Sequence, residues 1–260
     1  MTIKTAILNG VATLEIARPE KKNALTVAMY EALSQGLDAA REDPSVRAVL
    51  IVGQPGIFTS GNDLEDFMKR GVGQGSGSES TDSPVFGFMR SLLACDKPVV
   101  AAVTGAAIGI GTTMLLHCDF VYVSDEARLS MPFVSLGLVP EFASSLMVPQ
   151  LMGRARASEK LLLGEHFTAE NAVECGIANA VIPAGEVVHH ARRIAERFNQ
   201  LPPGAVREAK RLLRAPQREQ VLATIRTEGE LFAARLKSPE AMEAFQAFFQ
   251  KRKPDWSKFN

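Results

Sequence analysis

Apolar and polar positions alternate over residues 3–8 and 11–17, with Asn9-Gly10 between them. That pattern predicts a β-hairpin closed by a two-residue turn. Thr26 predicts the cap of a helix running to about Arg41, with Ala28, Met29, Ala32, Leu33 and Leu37 on its apolar face. Residues 46–52 and 98–103 are apolar runs, the pattern of strands covered on both faces. Residues 120–124 and 128–131 predict further short strands. Helical spacing then dominates, at about 141–151, 155–163, 169–174, 186–199, 204–214, 218–236 and 238–250. Strands alternating with helices predict an α/β core. The helices after Pro202-Pro203 read as a separate small lobe. Residues 71–84, rich in Gly and Ser, predict a flexible loop, either without a role or gating a nearby site.

Composition narrows the class. The 260 residues, 46% of them hydrophobic, suffice for one sizeable core. Lys plus Arg (29) balances Asp plus Glu (29), so no basic excess recommends a nucleic-acid partner. Cys95, Cys118 and Cys175 are odd in number and widely spaced, which argues against a disulfide framework and for a reducing, cytoplasmic setting. His117, His166, His189 and His190 show no metal-ligand pairing with them. No apolar run reaches membrane-spanning length, and neither end carries a targeting signal, so no membrane partner is expected.

Two segments share a design that carries chemistry. Phe58-Thr59-Ser60-Gly61-Asn62-Asp63-Leu64 places small residues before a helix, and Gly109-Ile110-Gly111-Thr112 does so after a buried strand. Helix N-termini present unpaired N–H groups and partial positive charge. Two such donors aimed at one point would hold a developing oxyanion. Taken alone, Gly-x-Gly also fits tight packing. A dinucleotide fingerprint fails at Met114, and no Gly-Lys-Ser/Thr phosphate loop is present.

Further motifs are Arg18-Pro19 with Asn23-Ala24-Leu25, and Lys97-Pro98 running through Gly105 and Gly109 to Cys118-Asp119. Phe167-Thr168-Ala169, Gly176-Ile177 and Leu201-Pro202-Pro203 extend the set. Together with the 58–64 loop they give the chain a resemblance to the enoyl-CoA hydratase/isomerase (crotonase) family. It implies a ββα spiral core over 1–200 and a helical trimerisation lobe over 201–260. It also implies an acyl-CoA thioester substrate and a homotrimer or hexamer. No cofactor is implied, because coenzyme A is part of the substrate. The oxyanion donors would be the amides of Asn62 and Ile110. Lys22, Asn23, Ala24, Leu25, Ser60, Gly61, Asn62, Asp63, Leu64 and Gly109 would line the CoA path, and Lys253 would meet its phosphates. Asp63 is equally placed to cap the helix at Leu64.

Departures from the family pattern shape the expected reaction. Hydratases use two glutamates, and this chain has Thr113 and Phe133 at those places. Pro140-Glu141-Phe142-Ala143-Ser144-Ser145 resembles instead the segment of peroxisomal-type 3,2-enoyl-CoA isomerases that carries a single acid/base. Glu141 is therefore the expected catalytic residue, or an acid in the first turn of a helix. Dehalogenase chemistry would want an aspartate there with a nearby Trp, and the single Trp256 lies in the tail. A dienoyl-CoA isomerase would want an acid in place of Phe133. The alternatives are a hydratase with non-standard acid/base groups and a non-catalytic CoA- or RNA-binding relative.

Overall fold

The computed structural model describes residues 2–66 and 83–259. The Gly/Ser-rich stretch, apart from Ser83 and Pro84, lies outside the described residues. The hairpin forms as expected: β1 (Ile3–Leu8) and β2 (Val11–Ile16) pair antiparallel across Asn9 and Gly10, both at positive φ (50° and 70°) as a two-residue turn requires. From there the chain deals strands alternately to two sheets. β3 (Ala48–Val52), β5 (Val99–Val103), β7 (Phe120–Ser124) and β10 (Ala180–Ile182) extend the hairpin into a sheet ordered β1-β2-β3-β5-β7-β10. β4 (Gly56–Thr59), β6 (Gly105–Ile108), β8 (Arg128–Ser130) and β9 (Phe167–Thr168) make the second, ordered β4-β6-β8-β9. Apart from β1–β2 and β8–β9, the pairs are parallel. Each turn of this spiral adds one strand to each sheet.

The apolar runs explain the layers. Alternate residues of β3 and β5 divide between two clusters, as period-two side chains must. Val49, Ile51, Val99, Ala101 and Val103 enter the main core. Ala48, Leu50, Val52, Val100 and Ala102 pack under Val187, Ala191 and Ala195 of a helix on the other face. That helix is α6, given below with the rest.

The helices are α1 (Val27–Glu42), α2 (Pro84–Ala94), α3 (Ile110–Thr113), α4 (Ser144–Leu162), α5 (Ala169–Glu174) and α6 (Val187–Glu196). The C-terminal ones are α7 (Pro203–Arg214), α8 (Arg218–Leu236) and α9 (Pro239–Phe249). Thr26 caps α1 through the Met29 amide as expected. Val221, Ile225, Phe232, Ala241 and Phe245 of α8 and α9 reach the main core.

Several elements differ from the sequence pattern. Strands β4, β6, β9 and β10 form where the pattern predicts none; at β6, Gly105 and its alanines pair closely with β4. Helix α2 was not anticipated; Ser83 and Pro84 start it beside the low-complexity stretch. The two helices expected at 141–151 and 155–163 are one element, α4, broken at Gly153 (φ 77°, ψ 157°) and beginning only at Ser144. Glu141 is therefore not in a helical first turn. Among the described residues, no helix is long and apolar enough to cross a membrane, and no cluster of His, Cys, Asp and Glu could hold a metal ion.

Candidate active site

The parallel pairing of β4 with β6 brings the two small-residue segments together. Thr59 faces Ala107, so residues 60–62 and 108–110 leave the sheet side by side. Their closeness demands glycine. Gly61 has φ 89°, and a Cβ there would stand 2.9 Å from the Ile108 carbonyl oxygen. Gly109 has φ 58° and ψ −119°, a conformation closed to other residues. Its own amide donates to Ser130 O (2.9 Å), while its carbonyl accepts from Thr112 and Thr113 (2.9 and 3.0 Å). Ile110 opens α3, so its N–H is an unpaired first-turn donor.

Asn62 reaches the same condition differently. It forms a lone parallel bridge with Leu25, in which Leu25 donates to Gly61 O (2.8 Å) and accepts from Asp63 N (2.9 Å). Parallel pairing uses the neighbours of the bridged residue, so the Asn62 N–H turns to the opposite side. The amides of Asn62 and Ile110 thus lie on adjacent segments, and neither has a hydrogen-bond partner among the described residues.

Residues 22–25 run along this loop, with Lys22 O accepting from Ser60 N (3.1 Å). Lys22 is exposed at φ 52°, Ala24 is half-buried and Leu25 is in the core. The Asn23 side chain is fully buried. It donates to Ile16 O, Ile57 O and Phe58 O (3.0, 3.2 and 3.1 Å) and accepts from Arg18 N (2.7 Å). It fastens the loop from inside. Asp63 pairs with Arg18 at 2.6 Å and accepts from Asp66 N at 3.1 Å. Burial pushes its carboxyl up, yet the Arg18 and amide contacts prevail and hold it below the usual range. The capping role is present, and Leu64 begins the helical turn, packed against the core. Lys253 is exposed, and no contact ties it to these segments.

The third part is the turn carrying Glu141. Phe142 and Ala143 both lie at φ 56°, left-handed and without glycine. Side chains both local and distant hold this strained shape. Ser144 Oγ donates to Glu141 O at 2.7 Å. His117 Nε2 lies 2.8 Å from Phe142 O, and the two rings stack at 3.9 Å. Burial and Arg214 push the His117 pKa down to about 4, so the ring is neutral with its proton on the nitrogen facing that carbonyl. Glu228 of α8 accepts from Ala143 N (2.5 Å), Ser145 N (2.9 Å) and Ser145 Oγ (2.5 Å).

Glu141 itself is 6% exposed, and its Oε1 has no hydrogen-bond partner among the described residues. Burial, then the Glu228 carboxylate, pushes its pKa up to about 8. Tyr30 connects this acid to the loop. Its hydroxyl donates to Asn62 Oδ1, and the Glu141 carboxyl helps push its phenol pKa up, after burial. Phe88 lies against both Tyr30 and Phe142, with ring centroids at 5.7 and 6.4 Å. Phe133 is 3.8 Å from where a Gly109 Cβ would be. The result is one region in which the free amides of adjacent segments and a buried carboxyl lie near the aromatic rings of Tyr30, Phe88 and Phe142. A separate cleft of about 330 Å³, lined by Arg41, Val46, Lys97, Phe198 and Arg207 among others, shares no residue with it.

The family model described as enoyl-CoA hydratase/isomerase matches residues 6–259. The chain belongs to that family. Enoyl-CoA hydratase/isomerase relatives include enoyl-CoA delta isomerase 2 of Rattus norvegicus, 34% identical over 94% of this chain. The chain spans 62% of that isomerase's length. A 2,3-dehydroadipyl-CoA hydratase of Escherichia coli is 30% identical, covering 95% of this chain and 94% of the relative. Among solved structures, OdaA of Pseudomonas aeruginosa superimposes with a TM-score of 0.90 at 50% identity, covering 95% of this chain and 98% of its own. The family fold is the two-sheet spiral with C-terminal helices described above.

Sequence reading singled out Asn62, Ile110 and Glu141, and the fold brings all three segments into one region. It passed over Tyr30, His117 and Glu228. Tyr30 looked like one more member of an amphipathic helix. Glu228 did leave a signal: it interrupts the core-facing stripe of Val221, Ile225 and Phe232 at helical spacing. An acid in such a stripe needs buried partners.

Proposed function

We propose that this chain moves the double bond of a 3-enoyl-CoA to give the 2-trans-enoyl-CoA, with Glu141 as the single acid/base. The observation carrying this reading is the buried, unpartnered Glu141 carboxyl, its pKa raised to about 8, coupled through Tyr30 to the Asn62 loop. The thioester oxygen would accept from the Asn62 and Ile110 amides. The Glu141 carboxylate takes an α proton, and the C–H electron pair passes into a dienolate that those amides stabilise. The same carboxyl then returns the proton to the γ carbon, so atoms and charge balance. A high pKa makes the carboxylate a stronger base toward a weakly acidic C–H.

The two positions where a hydratase would carry glutamate hold buried Thr113 and Phe133. Neither side chain has a group that titrates near neutral pH and could serve as general acid or base. The reading also takes residues 22–25, 60–64 and Gly109 as the CoA path, Lys253 as a phosphate contact, and coenzyme A as part of the thioester substrate with no cofactor. It includes a homotrimer or hexamer assembled through residues 201–260. The exposed Leu212 and Leu213 of α7 support that assembly.

Incubation with 3-enoyl-CoA and with crotonyl-CoA, followed by product analysis, tests the reaction. Conjugated 2-enoyl-CoA should form from the first substrate, and Glu141→Gln should abolish it. Efficient hydration of crotonyl-CoA together with full isomerase activity in Glu141→Gln would replace this reading with a hydratase.

A further inference from the structure

Helix α4 has no cap of its own. Its N-cap position is Ala143, which has no side chain able to accept from the first-turn amides. The preceding turn holds two consecutive non-glycine residues at φ 56°, each costing on the order of 1 kcal/mol or more unless the surroundings impose it. Both requirements are met by one group from α8. Glu228 Oε2 accepts from Ala143 N, and Oε1 accepts from Ser145 N and Ser145 Oγ. All three partners are donors, as an ionised carboxylate requires. The side chain is 5% exposed and stands in the apolar stripe of α8.

We infer that Glu228 is a positioning residue: its buried carboxylate gathers the Ala143 and Ser145 amides and the Ser145 hydroxyl, and thereby holds the left-handed turn that fixes the orientation of Glu141. The inference rests on Glu141 being the acid/base. It makes α8 part of the working site as well as a packing element. Burial pushes the Glu228 pKa up, against the Ser145 and Ala143 donors that lower it, and the charge it carries raises the Glu141 pKa in turn. The other groups bearing on that carboxyl are accounted for. Tyr30 from α1 is coupled to Glu141 and is held neutral with a pKa well above its usual value. His117, against Phe142, is neutral as well, and Arg214 bonds to the His117 carbonyl at 2.5 Å.

The test compares Glu228→Gln, nearly isosteric but uncharged, and Ser145→Ala with the wild type. The Glu141 carboxyl is titrated by infrared difference spectroscopy, using Glu141→Gln as the blank, and turnover of 3-enoyl-CoA is followed alongside. Glu228→Gln should lower the titration midpoint by about one unit as the like charge disappears. Its kcat should fall about 10- to 100-fold with KM nearly unchanged, because the turn loses its aim. Ser145→Ala should lower kcat by a smaller factor, and it carries the kinetic test if Glu228→Gln does not fold. Unchanged kcat and midpoint in Glu228→Gln, with only a lower Tm, would reduce Glu228 to a helix cap and overturn the inference. Failure of the underlying reading is distinct: it would appear as wild-type turnover in Glu141→Gln, whatever the titration gives.

Discussion

The two sides of the proposed site, a donor wall carrying Asn62 and Ile110 and an acid wall carrying Glu141, are built on opposite principles. The donor wall is local: glycines at 61 and 109 allow backbones to approach, and the amides of Asn62 and Ile110 are left free by the ordinary rules of a bridge and a helix start. The acid wall is assembled from afar. Its turn has no glycine, and its shape depends on His117 and on Glu228, which is 85 residues from the amide it receives. Donors can be supplied by any correctly bent backbone. A carboxyl with a pKa near 8 requires burial, and burial belongs to the whole fold.

Substitutions separate the two walls. Glu141→Gln should have the largest effect, a loss of roughly 1000-fold or more in kcat on 3-enoyl-CoA, with acyl-CoA binding retained in calorimetry. Gly109→Ala follows. It forces a side chain onto φ 58° beside Phe133 and should tilt the Ile110 amide, costing about 100-fold in kcat. A kcat within about twofold of wild type would show that the donor wall tolerates displacement and would break the comparison. Tyr30→Phe removes the hydroxyl that joins the walls through Asn62 Oδ1. We expect about a 10-fold loss in kcat, and a Tm drop of a few degrees from the unpaired amide oxygen.

The smallest effects concern pH. Activity should climb as Glu141 loses its proton and level off above about pH 8. Stability should run the other way. The folded pKa of Glu141 is raised, so its stabilising contribution is complete below the ordinary carboxyl range and is lost as pH rises toward about 8. Thermal melts of the wild type and Glu141→Gln should therefore diverge between about pH 5 and pH 8, with the variant holding its Tm better. Parallel melting curves would mean that the carboxyl is solvated.

Much of the spiral was legible because its signals are short-range. Unbroken apolar runs marked β3 and β5, Asn9-Gly10 marked the hairpin, and Thr26 marked the start of α1. Strand β6 leaves no signal of its own, because Gly and Ala carry little strand preference, and pairing with β4 decides its state. The start of α4 was misplaced by three residues because Pro140 and Glu141 imitate a helical first turn.

By itself the sequence determined the element pattern, the glycines that permit close backbone approach, and the presence of one acid where relatives of another kind carry two. Tertiary structure alone decided that this acid is buried with its pKa pushed up to about 8, that Tyr30 joins it to the Asn62 loop, and that Glu228 secures its turn. Backbone conformation follows largely from neighbouring residues. Desolvation and charge depend on which atoms the finished fold places nearby, whatever their distance along the chain.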